Sequence, residues 1–155
     1  NVRAPIFLII MTGSVHLLRT AYKIDDMRHL SDVQSSHRLQ KRDGRDVVAM
    51  STRRTPTRAN ELMDGGSVYW IIKNKIACRQ EIIDIETVEV DADSKRCFFY
   101  LDPTIYVVAP RAKRAVQGWR YLEGWDRPKD LGVYNDAGDD IPDEIEKELR
   151  ETGLL

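Results

Sequence analysis

Two clusters of cationic side chains, one of them interleaved with aromatic rings, carry most of the chemistry in this chain. Arg53, Arg54 and Arg58 stand just ahead of ANELM, a short stretch that reads as the start of a helix. Backbone N–H groups at a helix start are unpaired and attract anions, and guanidinium groups add planar, two-pronged contacts to a phosphate. The same stretch offers a competing use, because Arg58 and Glu61 are three residues apart and so neighbours on one helix face. In the second cluster, Arg111, Lys113 and Arg114 run into Trp119, Arg120 and Tyr121. Alternating cations and rings suit single-stranded nucleic acid, the cations meeting phosphates and the rings stacking on bases. That use requires exposed rings, whereas aromatic residues of an amphipathic strand more often fill a core.

The remaining reactive side chains are less organised. His16, His29 and His37 lack metal-ligand spacing and read as structural or solvent-facing, so no metal and no cofactor is expected. Cys78 and Cys97 fall on strands whose adjacency would allow a metal or redox pair, but two reduced cysteines packed as small hydrophobes are the commoner outcome. Glu81, Asp84, Glu86 and Asp102 are not spaced as an acid and base pair. A small hydrolase or transferase acting on a phosphorylated or nucleotide substrate would have to hold the phosphate with Arg54 and Arg58 and use Asp64 or Glu81 as base.

The formal net charge of −1 hides a gradient. Residues 1–44 sum to +3, residues 45–120 to +3 and residues 121–155 to −7. A basic body with an acidic end points to an anionic partner such as RNA or a nucleotide, or to an interaction module whose acidic tail meets a basic partner. Two cysteines make no disulfide framework, and the apolar run from Ile6 to Met11 is far below the ~20 residues of a membrane helix. The expected setting is cytoplasmic, with no membrane contact. Oligomeric state leaves no signal in the sequence.

The elements that must position these side chains follow from periodicity. Residues 14–20 read as a strand, and a helix capped by Asp25 or Asp26 runs to Asp43-Gly44. Asp46 to Ser51 is a short apolar strand. Thr55-Pro56-Thr57 opens a second, shorter helix that Gly65-Gly66 closes. From Ser67 the period becomes two, with Val68, Trp70 and Ile72 on one face, and the strands meet in a hairpin turned at Asn74-Lys75. The returning segment, to Val90, is long enough to demand a bulge near Gln80-Glu81. Strands follow at 96–101, 104–108 and 117–122, then a loop held down by Trp125, Leu131 and Tyr134, and a terminal helix from Pro142 to Thr152.

The strings HLLR, DGGSVYWIIK, RCFFYLDP and PRAKRAVQGWRYL together resemble an uncharacterised bacterial family of domains of unknown function, found in alphaproteobacteria. The resemblance spans Met11 to Leu155 and implies a natural start at Met11, with residues 1–10 an N-terminal extension. More loosely, a short helix ending in glycine, a strand and a returning hairpin resemble pseudouridine-synthase-and-transglycosylase-like (PUA-like) barrels, which implies binding of RNA or modified bases.

The expectation is thus one α+β domain, residues 11–155, with a mainly antiparallel bent sheet or small PUA-like β-barrel and flanking helices. It binds RNA or a nucleotide through Arg53, Arg54, Arg58, Arg111, Arg114, Trp119, Arg120 and Tyr121.

Overall fold

The alternation that follows the double glycine becomes the centre of the structure. In the computed structural model, which describes residues 14–135 and Glu151, β1 (Val15–Thr20) is followed by α1 (Met27–Val33), a π-helical turn at Gln34–Arg38, β2 (Leu39–Arg42) and β3 (Arg45–Thr52). Then come α2 (Ala59–Leu62), β4 (Ser67–Ile72), β5 (Lys75–Asp91), β6 (Ser94–Leu101), β7 (Tyr106–Ala112), β8 (Trp119–Glu123), a 3₁₀ turn and β9 (Asp130–Val133). Most of the described chain is strand, gathered in one mixed, open sheet.

β5 is the axis of that sheet. Its first half pairs with β4 and β7, and its second half, from Ile82, pairs with β6. Register shifts at Ile76/Cys78 and Ile82/Asp84 bend it, flanking the bulge expected near Gln80-Glu81. On one side the strands run β8-β1-β4-β5-β7-β9, and on the other β2-β3-β6-β5. β1 and β4 run parallel, which makes the sheet mixed rather than wholly antiparallel.

β4 is buried along its whole length, and its period-two pattern divides the core. Val68, Trp70 and Ile72 join the larger cluster with Leu17, Met50, Leu62 and Phe99, while Tyr69 and Ile71 join a smaller one with Leu18, Ile76, Val108 and Leu122. Each such side chain contributes about 1.5–3 kcal/mol by leaving water. Gly66 is required where α2 turns into β4, because a Cβ there would lie 2.3 Å from the Leu62 carbonyl oxygen and 2.8 Å from that of Val15.

Several local expectations are corrected. The β4–β5 turn lies at Lys73-Asn74, one residue earlier, with φ of 52° and 62°, so it is the left-handed turn that matches strand twist. The first helix begins as expected, with the Asp26 carboxylate accepting from the His29 N–H at 2.8 Å, but it stops at Val33. The remaining residues form the π-helical turn and β2, and Asp43-Gly44, with φ of 51° and 78°, is a hairpin turn into β3 instead of a helix end. Trp125 is 85% exposed and anchors nothing, whereas Leu131 and Tyr134 do pack on the core. The terminal helix falls outside the described residues apart from Glu151, which is helical. Residues 1–10 lie outside them too, and no helix among the described residues is long and apolar enough to cross a membrane.

Candidate functional site

Register explains how a cleft arises. Arg19, near the end of β1, is paired with Trp70 of β4 on one side and Trp119 of β8 on the other. Directly paired residues project to the same face of a sheet, so the three side chains form a row, tryptophan, arginine, tryptophan. Facing this row, β3 brings Ser51 and β6 brings Arg96. Arg19 donates to the Ser51 carbonyl at 3.4 Å and Arg96 to the Ser51 hydroxyl at 2.9 Å.

The chain leaving β3 then crosses to β8. Arg54 donates to the Trp119 carbonyl at 3.1 Å, the Trp119 indole N–H donates to the Arg54 carbonyl at 3.0 Å, and the guanidinium lies 4.0 Å from the ring centre. This reciprocal clasp holds the two rims of a cavity of about 800 Å³, lined by Arg19, Arg53, Arg54, Arg96 and Arg120 with Ser51, Thr52, Gln117, Gly118 and Trp119. No carboxylate lines it among the described residues, and none of its arginines forms an ion pair there. Burial, and then the like charge of Arg96, hold the Arg19 guanidinium below its ordinary pKa. Two cations forced together in a partly desolvated cleft are what a bound anion would relieve.

A second cavity of about 340 Å³ opens on the other side of Arg19, Ser51 and Arg96, which line both. Its walls are Leu30, Val33, Val48 and Met50, with Trp70 and Gln34 deeper and Tyr22 and Arg38 at exposed positions.

Of the residues singled out from the sequence, the fold gathers Arg53, Arg54, Trp119 and Arg120 in the larger cavity. Trp119 is only 4% exposed, set edge-on against Tyr121 at 4.9 Å, so its ring does not face solvent for stacking. Arg58 and Tyr121 sit beyond the clasp. The Tyr121 hydroxyl accepts from the Arg58 backbone N–H at 3.1 Å, and the Arg58 side chain forks onto Glu61 at 2.8 and 2.9 Å and onto Glu123 at 2.8 Å. Hydrogen bonds donated to Glu61 and Glu123 push the Arg58 pKa up, so the surface pair foreseen at Arg58 and Glu61 is formed. Arg111 bonds to Asp126 at 3.3 Å, away from the cleft, and Arg114 is exposed on the segment leading to β8. Asp64 and Glu81 line neither cavity. Cys78 and Cys97 are both buried, and burial pushes the Cys78 thiol far above its ordinary range.

Sequence reasoning missed Arg19 and Arg96. At Arg19 the available signal was an arginine within the largely apolar strand VHLLRT, whereas Arg96 follows Ser94 and Lys95 at the polar start of β6 and gives no such signal. Fold and cleft together define a mostly β domain with a basic groove that its described carboxylates do not neutralise. Residues 17–155 match the family described as Protein of unknown function (DUF1489), and the chain belongs to it. No curated protein and no solved structure matches the chain.

Proposed function

We propose that the groove between β3 and β8 binds single-stranded nucleic acid, RNA foremost, through its phosphates. One observation carries the reading: Arg19, Arg53, Arg54, Arg96 and Arg120 share a cavity that no carboxylate lines among the described residues, whereas Arg42, Arg45, Arg58, Arg79 and Arg111 elsewhere are each paired with a carboxylate. Arg114 extends the basic surface along the approach to β8. The resemblance to PUA-like barrels and the cytoplasmic setting read from the sequence go with this proposal. The hydrolase or transferase reading is less well supported, since it needs a general base beside the arginines, and Asp64 and Glu81 are elsewhere.

Fluorescence anisotropy with labelled RNA and DNA oligonucleotides over a salt series tests the reading. With three to five phosphate contacts, the logarithm of affinity falls against the logarithm of salt with a slope of about −2 to −3.5. Arg96→Ala or Arg120→Ala weakens binding to all sequences alike and reduces the slope by about 1, whereas Arg111→Ala leaves it unchanged. Absence of saturable binding at low salt, or binding indifferent to salt, overturns the proposal.

A further inference from the structure

The smaller cavity holds a polar group whose orientation the core dictates. The indole N–H of Trp70 can only donate, and it points at Gln80 Oε1 at 2.8 Å. The Asp102 carbonyl can only accept, and it receives Gln80 Nε2 at 3.2 Å. With both ends of the Gln80 amide assigned, Gln34 must face it in a reciprocal pair. Gln34 Nε2 donates to Gln80 Oε1 at 2.7 Å, and Gln80 Nε2 donates to Gln34 Oε1 at 2.9 Å. Gln80 is thereby saturated. Gln34, at 6% exposure, keeps one N–H and one carbonyl lone pair, and it lines the cavity. A buried amide with a donor and an acceptor side by side reads a partner edge that offers one of each. Gln34 also opens the π-helical turn, an irregularity that recurs at functional sites.

Three demands meet in this space. The aliphatic walls suit a flat apolar face, the Gln34 amide an adjacent acceptor and donor, and the Arg19–Arg96 mouth an anion next to them. Tyr22, 79% exposed, supplies a ring for stacking. A nucleotide combines a flat heterocycle, a mixed polar edge and an attached phosphate. We propose that the smaller cavity is a nucleobase pocket, taking one base of the bound strand against Gln34 and Tyr22 while its phosphate rests on Arg19 and Arg96. This rests on the nucleic-acid reading of the larger groove and adds base selection to it.

Calorimetric titration with the four nucleoside 5′-monophosphates and with ribose 5-phosphate tests the pocket apart from the groove. At least one nucleotide binds about tenfold or more tighter than ribose 5-phosphate, the margin expected of a two-bond base contact. Gln34→Leu removes that margin. Tyr22→Ala, at an exposed position where folding is not at stake, weakens the nucleotide and leaves ribose 5-phosphate unchanged, and Trp125→Ala changes neither. Equal affinity for nucleotides and ribose 5-phosphate, or salt-dependent oligonucleotide binding without monophosphate binding, overturns the pocket and leaves the groove standing. Failure of both oligonucleotides and monophosphates to bind overturns the two together.

Discussion

Two arginine-rich regions meet at Trp119 and treat charge in opposite ways. On the Tyr121 side, Arg58 is held by Glu61 and Glu123, and around the sheet Arg42, Arg45 and Arg79 likewise face Asp84, Asp102 and Asp130. On the Arg54 side, five arginines share one cavity without an acidic partner among the described residues. The paired region is complete in itself, and its cations add to the fold. The unpaired one carries a cost in the free protein, since like charges crowd a site that water partly leaves. Evenly scattered arginines would not produce that contrast, and it marks out the proposed binding surface more sharply than the number of basic residues does.

The largest effect belongs to the seam. Trp119→Ala removes a buried ring that both regions touch, and urea unfolding should show a loss of about 3–5 kcal/mol, more than any arginine substitution on either side. A smaller loss would mean that the clasp with Arg54 is ornamental. Next, Arg58→Ala should lower the melting temperature by stranding Glu61 and Glu123, while Arg96→Ala should leave it unchanged or raise it. Equal destabilisation by both variants would dissolve the distinction between the regions.

The smallest effect is a pH dependence confined to the paired side. Burial alone would raise the Asp102 pKa, but the Thr104 N–H and the Arg45 guanidinium outweigh it and hold the carboxyl below its usual 3.8. A carboxyl depressed in the folded state stabilises above its unfolded pKa, and that contribution disappears as pH falls through the folded value. Urea midpoints between pH 5 and 2 should therefore decline less steeply in Asp102→Asn below pH 4 than in the parent. Identical slopes would show the Arg45–Asp102 contact to be inert.

What the sequence disclosed depended on the distance over which each feature is encoded. The β4–β5 hairpin was legible because alternation on both arms and a polar turn lie within a few residues of one another. Its turn was misplaced by one because Lys73 adopts a left-handed conformation that glycine or asparagine more commonly takes. The first helix was overextended because Leu39 continues its apolar spacing, yet Leu39 is 48% exposed on an outer strand. The pairing of β1 with β4 joins segments whose sequences hold no trace of each other. For that reason Arg19 could not be placed beside Trp70 and Trp119, and the groove showed itself only in part, through Arg53, Arg54 and Arg120. The shared face of Trp119 and Tyr121 was readable, but their burial was not, because it depends on Arg54 arriving from β3.

The parallel pairing of β1 also sets an order in time. β5 reaches β4 through a two-residue turn, but Leu17 must wait for Val68, 51 residues on, and β8 comes later still. At about 5–20 residues per second of synthesis, VHLLRT spends some ~3–10 s outside the ribosome as an unpaired apolar strand before its first partner is made. Arg19, crowded by Arg96 in the folded cleft, also places a charge in the waiting apolar strand, and a charge within such a segment opposes aggregation. Protease protection of stalled nascent chains should reach β1 only after β4 has emerged, and an Arg19→Leu chain should aggregate during synthesis at temperatures the parent tolerates.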